Sequence, residues 1–388
     1  MGPLAGVKVV EVPNIGPMQF AGMLLSDLGA EVLRLDRASD APTGSTVGGT
    51  AFVSPYSVLD RGRRSAAIDL KAAGSAEVVL RLCEQADVLI EGFRPGVAER
   101  LGIGPEPCRA RNPRLVYGRM TGWGQDGPFA GDVGHDVNYI ALAGALASFG
   151  PAGGPPVFPI NLIADFGGGG ALLVTGILAA LLERDRSGQG QVIDAAMVDG
   201  SAQLLNIFVG LDAMGTWGPR GTNFPDGGAH FYNVYETADG EWISIGSYEP
   251  KFYANLIALL GLSELGPESQ MDRERWGELK ALFAEIFKTK TRAEWVAHFA
   301  GHEVCFAPVL TMTEARSHPH NVARRTFIDV DGAPQPAPAP RFDRTPMEVQ
   351  RAPVAAGVDT DTALVDWGFS PAEINALVAS GTLARAPS

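Results

Sequence analysis

The sequence predicts an α/β fold, in which a large doubly wound parallel-sheet domain is accompanied by a smaller α+β domain. Three observations support this prediction: a strand–helix–strand pattern at the N-terminus, further strand-like runs separated by helical segments, and a change of pattern beyond residue 215. The chain has 388 residues, which is long for one hydrophobic core, so two domains are expected.

The first 36 residues are predicted to form a βαβ unit. Residues 7–12 and 31–36 have the apolar, β-branched composition of buried strands. Between them, apolar side chains recur at helical spacing at Phe20, Met23, Leu24, Leu25 and Leu28. Further strands are predicted at 65–70, 86–93 and 113–120. These elements together predict the doubly wound sheet.

An acidic residue, Asp36, ends the second predicted strand, as in many NAD-binding domains. The first turn contradicts that interpretation. It contains Gly16 and Gly22 but no G-x-G-x-x-G motif, so a dinucleotide site is not predicted.

Two helix starts are predicted in the middle of the chain. Asp136 is placed to N-cap a helix beginning at Val137, and Asp165 to N-cap a helix over residues 166–186. The glycine run 167–170 in the first turns of the second helix would let another backbone or a ligand approach closely. A strand and a helix are predicted to follow at 191–210.

The second half of the chain has a different pattern. A glycine-rich linker at 215–228 precedes a hairpin whose turn is Asp239–Gly240, and helices are predicted at about 251–261, 273–288 and 291–301. A Pro-rich extended strap follows at 331–346, and Ser370, Pro371 and Glu373 form a capping box. The predicted segments are 1–214 (large domain), 215–330 (linker and small α+β domain) and 331–388 (return strap and C-terminal helices completing the large domain).

The charge distribution argues against nucleic acid as a partner and for a small anion. The formal net charge is −13, whereas a polyanion groove needs a basic stripe. Residues 1–120 nevertheless hold 14 Lys and Arg against 13 Asp and Glu. A locally basic N-terminal third in an acidic chain fits an anionic small molecule.

The composition is typical of a soluble cytoplasmic protein. Apolar residues make up 46% of the chain, yet no uninterrupted apolar run of about 18 residues occurs, so no membrane insertion is predicted. Neither terminus carries a recognisable targeting signal. Cys83, Cys108 and Cys305 are few and far apart in sequence, which favours a reducing compartment and argues against disulfides.

Basic residues cluster near predicted strand ends. The set comprises Arg61, Arg63, Arg64 and Lys71 around the strand at 65–70, Arg94 just past a strand end, and Arg100. Ligands of open parallel sheets bind outside the carboxyl ends of the strands, and guanidinium groups suit phosphates and carboxylates. We therefore expect this set to bind an anion; the alternative is a solvated surface.

His135 and Asp165 are the candidates for acid–base chemistry. Each lies at a predicted helix start after a sheet element. A histidine there feels the positive end of the helix dipole, which favours the neutral imidazole that a general base needs. Capping is the ordinary role of Asp165, but the neighbouring glycines would destabilise a purely structural helix. His298 and His302 are four residues apart without a third ligand, so no metal site is predicted.

Several longer segments carry a family resemblance. They are "LLSDLGAEVLRLDR", "IEGFRPGVAERLGIGP", "RMTGWGQDGP", "GHDVNYIALAG", "ADFGGGGALLVTGILAALLER", "GQVIDAAMVDG" and "YETADGEWISIGSYEPKFY". In these segments the sequence resembles the class III CoA-transferase family (CaiB/BaiF type) nearly from end to end. "GHDVNY" with "EPKFY" is similar to its α-methylacyl-CoA racemase branch in particular.

The resemblance implies a large Rossmann-like domain built from both ends of the chain, a smaller domain between them, and an interlocked homodimer. It implies catalysis by His135 and Asp165, with Glu249 hydrogen-bonded to the histidine and orienting it. The implied substrate/CoA contacts are Arg37, Ile68, Asp69, Leu70, Lys71, Gly92, Phe93, Arg94, Arg100, Gly134, Asp136, Val137, Asn138 and Tyr139.

The implied activity is interconversion of (2R)- and (2S)-2-methylacyl-CoA thioesters by 1,1-proton transfer through an enolate. This chemistry requires a base on one face of the α-carbon and an acid on the other, which His135 and Asp165 can supply. Amides at the helix start of Asp165 are expected to stabilise the enolate oxygen. The CoA arrives as part of the acyl-CoA thioester, so no cofactor or metal is expected.

Two other functions stay open. A CoA-transferase of the same family would use Asp165 as a nucleophile and form a mixed anhydride with the acyl group. His135 and Glu249 favour the racemase, because a transferase has no evident need for them. The third alternative is a non-catalytic acyl-CoA binder, which the retention of all three polar residues argues against.

Two departures from the family pattern are visible. His230 stands where relatives usually have proline, and we expect it to alter the acyl pocket. Residues 38–54 are longer than the usual connection and lie beside the expected CoA arginines. Neither departure touches His135 or Asp165.

Overall fold

The computed structural model describes residues 2–13, 15–41 and 56–387, so most of the longer connection at 38–54 lies outside the described residues. The chain divides into two compact units: Met1–Ala143, Ile160–Leu204 and Arg325–Ser388 form the first, and Gly144–Pro159 with Leu205–Arg324 form the second. Residues 144–159, 205–214 and 325–330 thus group differently from the segments predicted above.

The helices and strands have the following bounds. The strands are β1 (Lys8–Glu11), β2 (Glu31–Arg37), β3 (Arg64–Ile68), β4 (Val88–Glu91), β5 (Val116–Thr121), β6 (Val192–Ala196), β7 (Tyr232–Glu236), β8 (Trp242–Gly246), β9 (Phe306–Pro308), β10 (Phe327–Val330), β11 (Ala333–Pro336) and β12 (Leu383–Ala384). The α-helices are α1 (Pro17–Asp27), α2 (Ser75–Gln85), α3 (Val97–Arg100), α4 (Pro105–Arg111), α5 (Asp136–Leu142), α6 (Leu172–Ser187), α7 (Met197–Leu204), α8 (Asn206–Ala213), α9 (Pro250–Leu259), α10 (Trp276–Phe287), α11 (Arg292–Phe299), α12 (Met312–Ser317), α13 (Pro319–Arg324), α14 (Thr360–Asp366) and α15 (Pro371–Ala379). A π-helix, Ile163–Ala171, continues directly into α6.

A seven-stranded sheet forms the centre of the first unit, in the order β12-β3-β2-β1-β4-β5-β6. Strands β1 to β6 are parallel, which confirms the predicted α/β class, and β12 joins the edge antiparallel to β3. The chain winds one way from β1 through β3 and then returns to the other side of β1 with β4. Between β1 and β4 lies the topological switch point, where ligands of such sheets bind.

Alternating residues of the strands face two different environments. Val10, Leu33 and Leu35 pack into an apolar core with helices α2, α14 and α15, and all three are at most 1% exposed. Their neighbours Glu11 and Arg34 point to the opposite face, where α1 lies, because successive strand side chains alternate. The alternation of side chains along each strand therefore separates an apolar layer from a charged one.

The π-helix and α6 pack inside the first unit against α1, α7, β5 and β6. The continuous helical stretch Ile160–Ser187 is long and apolar enough by composition to cross a membrane, but 44% of its apolar window is buried within the protein. The absence of membrane insertion stays a prediction.

The second unit has an aromatic core. The predicted hairpin is confirmed: β7 and β8 pair antiparallel, and β9, which was not predicted, adds a third strand. Helices α9, α10 and α11 lie within a few residues of their predicted bounds. Their buried rings share one cluster with the sheet, formed by Phe231, Tyr235, Tyr253, Trp276, Phe283, Phe287, Trp295 and Phe299.

The C-terminal segment departs from the predicted extended strap. Its first residues form a hairpin, in which β10 and β11 pair antiparallel around Asp331 and Gly332. Both turn residues have positive φ, 53° and 80°, as a two-residue type I′ turn requires. The predicted capping box is confirmed, since the Ser370 hydroxyl accepts from the Glu373 amide and the Glu373 carboxylate accepts from the Ser370 amide.

Candidate active site

A cavity of about 760 Å³ opens at the switch point of the sheet. The segments that follow β1, β4 and β5 contribute to its wall, together with α5 and the start of the π-helix. Its lining includes Pro13, Ile15, Gly16, Met18, Arg37, Gly92, Phe93, Arg94, Met120, Gly122, Trp123, Gly134, His135, Tyr139, Asn161, Asp165 and Met197. The two acid–base candidates, thirty residues apart in sequence, therefore share one cavity.

His135 is the N-cap residue of α5 and is exposed to the cavity. Its own amide donates to the Asn138 side chain at 3.0 Å, and its carbonyl accepts from the Asn138 amide at 2.8 Å. The prediction that Asp136 caps this helix is wrong, because the helix begins one residue earlier than expected. The backbone of His135 is thus fixed, and the residue lines the cavity.

Asp165 is the third residue of the π-helix, so the prediction that it caps a helix from 166 is also wrong. Its carboxylate accepts from the Asn161 side chain at 2.8 Å. Partial burial raises the pKa of Asp165, and the nearby Asp136 raises it further, whereas the Asn161 hydrogen bond and His135 oppose the shift. A carboxyl with a raised pKa is suited to hold and release a proton.

Asp136 is buried, and its carboxylate reaches across to the π-helix. Its Oδ2 accepts from the amides of Ala164 at 2.7 Å and Asp165 at 2.9 Å. Those amides are consequently unavailable to an enolate oxygen, which corrects our expectation for them. The amides of Asp136 and Val137, by contrast, have no acceptor among the described residues.

Tyr139 forms part of the cavity wall next to His135. Its hydroxyl donates to the Gly134 carbonyl, and its ring packs edge-on to Trp123 with the ring centroids 4.8 Å apart. Burial together with Asp165 and Asp136 raises the pKa of Tyr139 to about 12. A Cβ added at Gly122 would lie 2.1 Å from the tyrosine ring, so this wall requires glycine there.

The glycine run serves backbone packing. A Cβ at Gly168 would lie 2.7 Å from the Ser201 amide, and one at Gly200 would lie 1.9 Å from the Gly168 carbonyl. A Cβ at Gly170 would lie 2.8 Å from the carbonyl oxygen of Pro17 on α1. Of the two roles left open by the sequence, close approach of another backbone is the one observed. The glycines hold the Asp165 segment against α1 and α7.

A second cavity of about 690 Å³ adjoins the first, since Pro13, Arg37 and Phe93 line both. It contains Ile68, Asp69, Leu70 and Lys71. The predicted CoA contacts at 37, 68–71, 92–94, 134 and 139 therefore lie along adjoining cavities. Arg100 on α3 and the exposed Val137 and Asn138 are absent from both linings, and Asp136 is buried.

Three of the arginines expected to bind an anion are already paired. Arg61 and Arg63 are buried against Asp27 and Glu11, respectively, and Arg64 pairs with Asp366 at the surface. Arg37, Lys71, Arg94 and Arg100 are exposed, with no side-chain hydrogen bond or ion pair to a described residue. Asp36 is buried and accepts from Arg34 and Ser65, so it is not placed to bind a ribose.

Comparisons with known proteins identify the family of this chain. A family model described as CoA-transferase family III matches residues 4–360. The α-methylacyl-CoA racemases of Mus musculus and Homo sapiens are 47% and 43% identical over 375 and 384 residues; each alignment covers 96% of this chain and 95% of the relative. The chain belongs to CoA-transferase family III.

A solved structure of this family shares the architecture. The crystal structure of a CAIB/BAIF family protein from Brucella suis superposes with a TM-score of 0.80 at 28% identity, covering 94% of this chain and 99% of that one.

The predicted catalytic residue Glu249 and the unusual residue His230 both lie in the second unit. Glu249 is the exposed N-cap residue of α9, and its proposed action on the histidine stays a prediction. His230 is fully buried in the aromatic core, where its Nε2 lies 2.9 Å from the Tyr253 hydroxyl. Burial lowers the pKa of His230 to about 4. His230 lines neither of the two cavities described above, and its effect on an acyl pocket stays a prediction.

Several residues that line the first cavity were not predicted from the sequence. Asn161 holds the Asp165 carboxylate, and the preceding Ile160 has a φ of 47°, a strained left-handed conformation for a β-branched residue. Trp123 and Met120 lie in the "RMTGWGQDGP" segment. That segment spans the carboxyl end of β5, where ligands of parallel sheets bind, so its position could have indicated both residues.

His298 lies on α11, and His302 lies three residues beyond its end. Among the residues that the structure describes, no group of three or more His, Cys, Asp and Glu side chains is placed to hold a metal ion. His298 instead contacts the Leu259 carbonyl. The three cysteines are free, with Cys83 and Cys108 buried.

Proposed function

We propose that this protein is a racemase that interconverts (2R)- and (2S)-2-methylacyl-CoA thioesters. The observation that carries the proposal is the placement of His135 and Asp165 in one cavity, in a chain that is 43–47% identical to two α-methylacyl-CoA racemases. Inversion of configuration at the α-carbon requires that a proton is removed from one face and that a proton is returned to the other. An imidazole and a carboxyl group form such a pair.

The two groups exchange roles between the two directions. When the imidazole is neutral and the carboxyl protonated, His135 removes the α-proton and Asp165 returns one from the other face. After turnover the imidazole is protonated and the carboxyl ionised, which is the starting state for the opposite enantiomer. The raised pKa of Asp165 brings these two states closer in free energy, because the carboxyl competes better for the proton.

The enolate needs a hydrogen-bond donor for its oxygen while charge develops. The Ala164 and Asp165 amides are occupied by Asp136. We assign this role to the unoccupied amides of Asp136 and Val137, next to His135. A thioester oxygen bound there would place the α-carbon near the imidazole.

The exposed cations support recognition of CoA. Arg37 and Arg94 line the first cavity, and Lys71 lies in the adjoining one. Guanidinium and ammonium groups without internal partners are available to phosphate oxygens. Apolar residues of the first cavity, Ile15, Met18 and Met197 among them, suit a branched acyl chain. The predicted contacts at Arg100, Val137 and Asn138 stay predictions.

The remaining predictions belong to the same proposal. The proposed chemistry uses no cofactor or metal, since CoA enters with the substrate, and the protein is proposed to act in the cytoplasm. We propose a homodimer, supported by the exposed apolar side chains of Ile207, Val209 and Met214 on and just beyond α8. Net negative charge argues against nucleic acid as a partner.

One experiment separates this proposal from CoA transfer, for which the Asp165 carboxylate would be the nucleophile. A single 2-methylacyl-CoA diastereomer is incubated in D2O without acceptor acid, and NMR follows α-deuterium and the diastereomer ratio. Exchange with epimerisation, lost in Asp165→Ala and His135→Ala, supports the racemase. Absence of exchange, with CoA transfer once a carboxylate is supplied, would establish the transferase instead. Binding of acyl-CoA without either reaction would leave only a binding protein.

A further inference from the structure

Asp136 connects the two segments that carry the acid–base pair. It follows His135 directly and begins α5, and its carboxylate accepts from the backbone of Ala164 and Asp165 on the π-helix. The side chain is 3% exposed. One carboxylate thus ties the histidine's helix to the backbone of the catalytic aspartate.

Ordinary helix capping does not explain this carboxylate. The N-cap of its own helix is His135, and the amides it binds belong to a different helix. A carboxylate buried this deeply loses hydration, which two amide hydrogen bonds replace only in part. Its Oδ1 is buried as well and has no hydrogen-bond partner among the described residues. A neutral acceptor would hold the same amides at a lower desolvation cost, so the charge itself requires an explanation.

We propose that Asp136 is a positioning residue of the racemase, whose carboxylate fixes the Asp165 segment in the cavity that it shares with His135 and whose charge favours the protonated form of Asp165. This inference rests on the proposed function. It assigns to Asp136 a role through Asp165, in addition to the substrate contact predicted for it.

The surroundings of Asp165 show where the charge acts. Burial is the main cause of its raised pKa, Asp136 adds to the shift, and Asn161 and His135 oppose it. Tyr139, also on α5, is a further titratable neighbour. The other described elements packed on the π-helix, α1, α6, α7 and β6, place no charged group that shifts this pKa. Asp136 is therefore the nearby negative charge that favours protonation of Asp165.

The consequence concerns how one proton is distributed between His135 and Asp165. In water a histidine and an aspartic acid differ by about 2.6 pKa units, so a proton shared by such a pair would stay on the imidazole. A negative charge beside the carboxyl reduces that difference. The charge of Asp136 thereby brings the two protonation states closer in free energy, as a racemase that works in both directions needs.

The test compares three full-length variants in the D2O exchange assay. Asp136→Asn keeps a side-chain oxygen that can accept from both amides but removes the charge, and Asp136→Ala removes both. Asp199→Asn is the matched control, because it removes an equal charge from an exposed position on α7, a helix that packs on the same π-helix. Circular dichroism and thermal unfolding verify the fold of each variant.

We expect Asp136→Ala to lower kcat about 100-fold with little change in KM, since misplacement of a catalytic group acts on the chemical step. Asp136→Asn should recover much of that loss, but the acid limb of its kcat–pH profile should move to lower pH, because the pKa of Asp165 falls. A purely structural role would not move that limb. Asp199→Asn should match the wild type in both measurements.

Three results would decide against the inference. An Asp136→Asn profile identical to that of the wild type would exclude the electrostatic role. A folded Asp136→Ala protein with kcat within threefold of the wild type would exclude the positioning role, and if that variant does not fold, the Asp136→Asn profile decides alone. If the wild type and Asp199→Asn show no exchange, the proposed function itself fails, and the inference fails with it.

Discussion

Two groups of basic residues in the first unit, on β2 and on the segments next to β3 and β4, have opposite environments. Arg34, Arg61 and Arg63 are at most 3% exposed and are bound to carboxylates. Arg37 and Arg94 are exposed at the carboxyl ends of β2 and β4 and have no such partner among the described residues. Arg34 and Arg37 are only three residues apart, so position along a strand, more than residue type, decides whether an arginine is paired inside the fold or exposed.

The buried group shows how tertiary contacts enclose charges. Arg63 donates to both oxygens of Glu11, at 2.8 and 2.7 Å, and to Asp60 at 3.1 Å. Gly22 on α1 makes room for this pair, because a Cβ there would lie 2.1 Å from the Glu11 carboxylate. A fully desolvated pair is held by its geometry, whereas Arg37 and Arg94 have no side-chain partner in the described part of the chain and can bind a ligand.

The strongest way to test the comparison is to break the buried pair. Arg63→Met should cost about 3–5 kcal/mol of unfolding free energy, because it leaves the Glu11 carboxylate buried without its partner. Urea unfolding measures this. Adding Glu11→Leu should recover most of the loss, since Asp60 keeps its contact with Arg34. A loss below about 1 kcal/mol would mean that water solvates Glu11 in the folded protein.

A substitution in the exposed group, Arg37 and Arg94, should affect CoA binding and leave stability unchanged. Arg94→Ala should weaken CoA binding about 10- to 100-fold, the effect of losing one charged hydrogen bond, with unfolding free energy within about 0.5 kcal/mol of the wild type. Isothermal titration and urea unfolding report the two quantities. Arg64→Ala is the matched control and should change neither, because its partner Asp366 is exposed. Unaltered CoA affinity in Arg94→Ala would remove this residue from the site.

The smallest expected effect is on the pH dependence of stability, and it has opposite signs for the carboxyl groups of Asp165 and Glu314. The pKa of Asp165 is raised in the folded protein, so its ionisation destabilises the fold as pH rises through that value. Asp165→Asn should therefore be more stable than the wild type at pH 8, within about 1 kcal/mol, and the difference should vanish as pH falls toward about 4. Thermal unfolding at several pH values measures this.

Glu314 supplies the control of opposite sign. Hydrogen bonds from Arg292 and Thr311 lower its pKa to about 2, so its ionised form stabilises the fold. Glu314→Gln should lose stability at pH 8, and the loss should disappear as pH falls toward about 2. If Asp165→Asn followed the same sign as Glu314→Gln, the carboxylate of Asp165 would be stabilised in the folded state.

Local patterns predicted most elements but failed where a partner came from far away in sequence. The capping box at Ser370 needs only residues three apart, and it forms as predicted. Asp136 and Asp165 look like caps of the helices that follow them, yet Asp136 binds amides 28 and 29 residues away. The Asp331–Gly332 turn was a local hairpin signal that the proline content of its surroundings obscured.

The sequence by itself determined the parallel-sheet class, the family and the identity of the acid–base candidates, because periodicity, turn residues and motifs are local properties of the chain. Tertiary structure decided which of the charged residues pair with each other and which stay open. It also decided that Asp165 lies within a π-helix held by Asp136. Such choices depend on burial, since a charge acquires its partner and its pKa only when the fold removes water from around it.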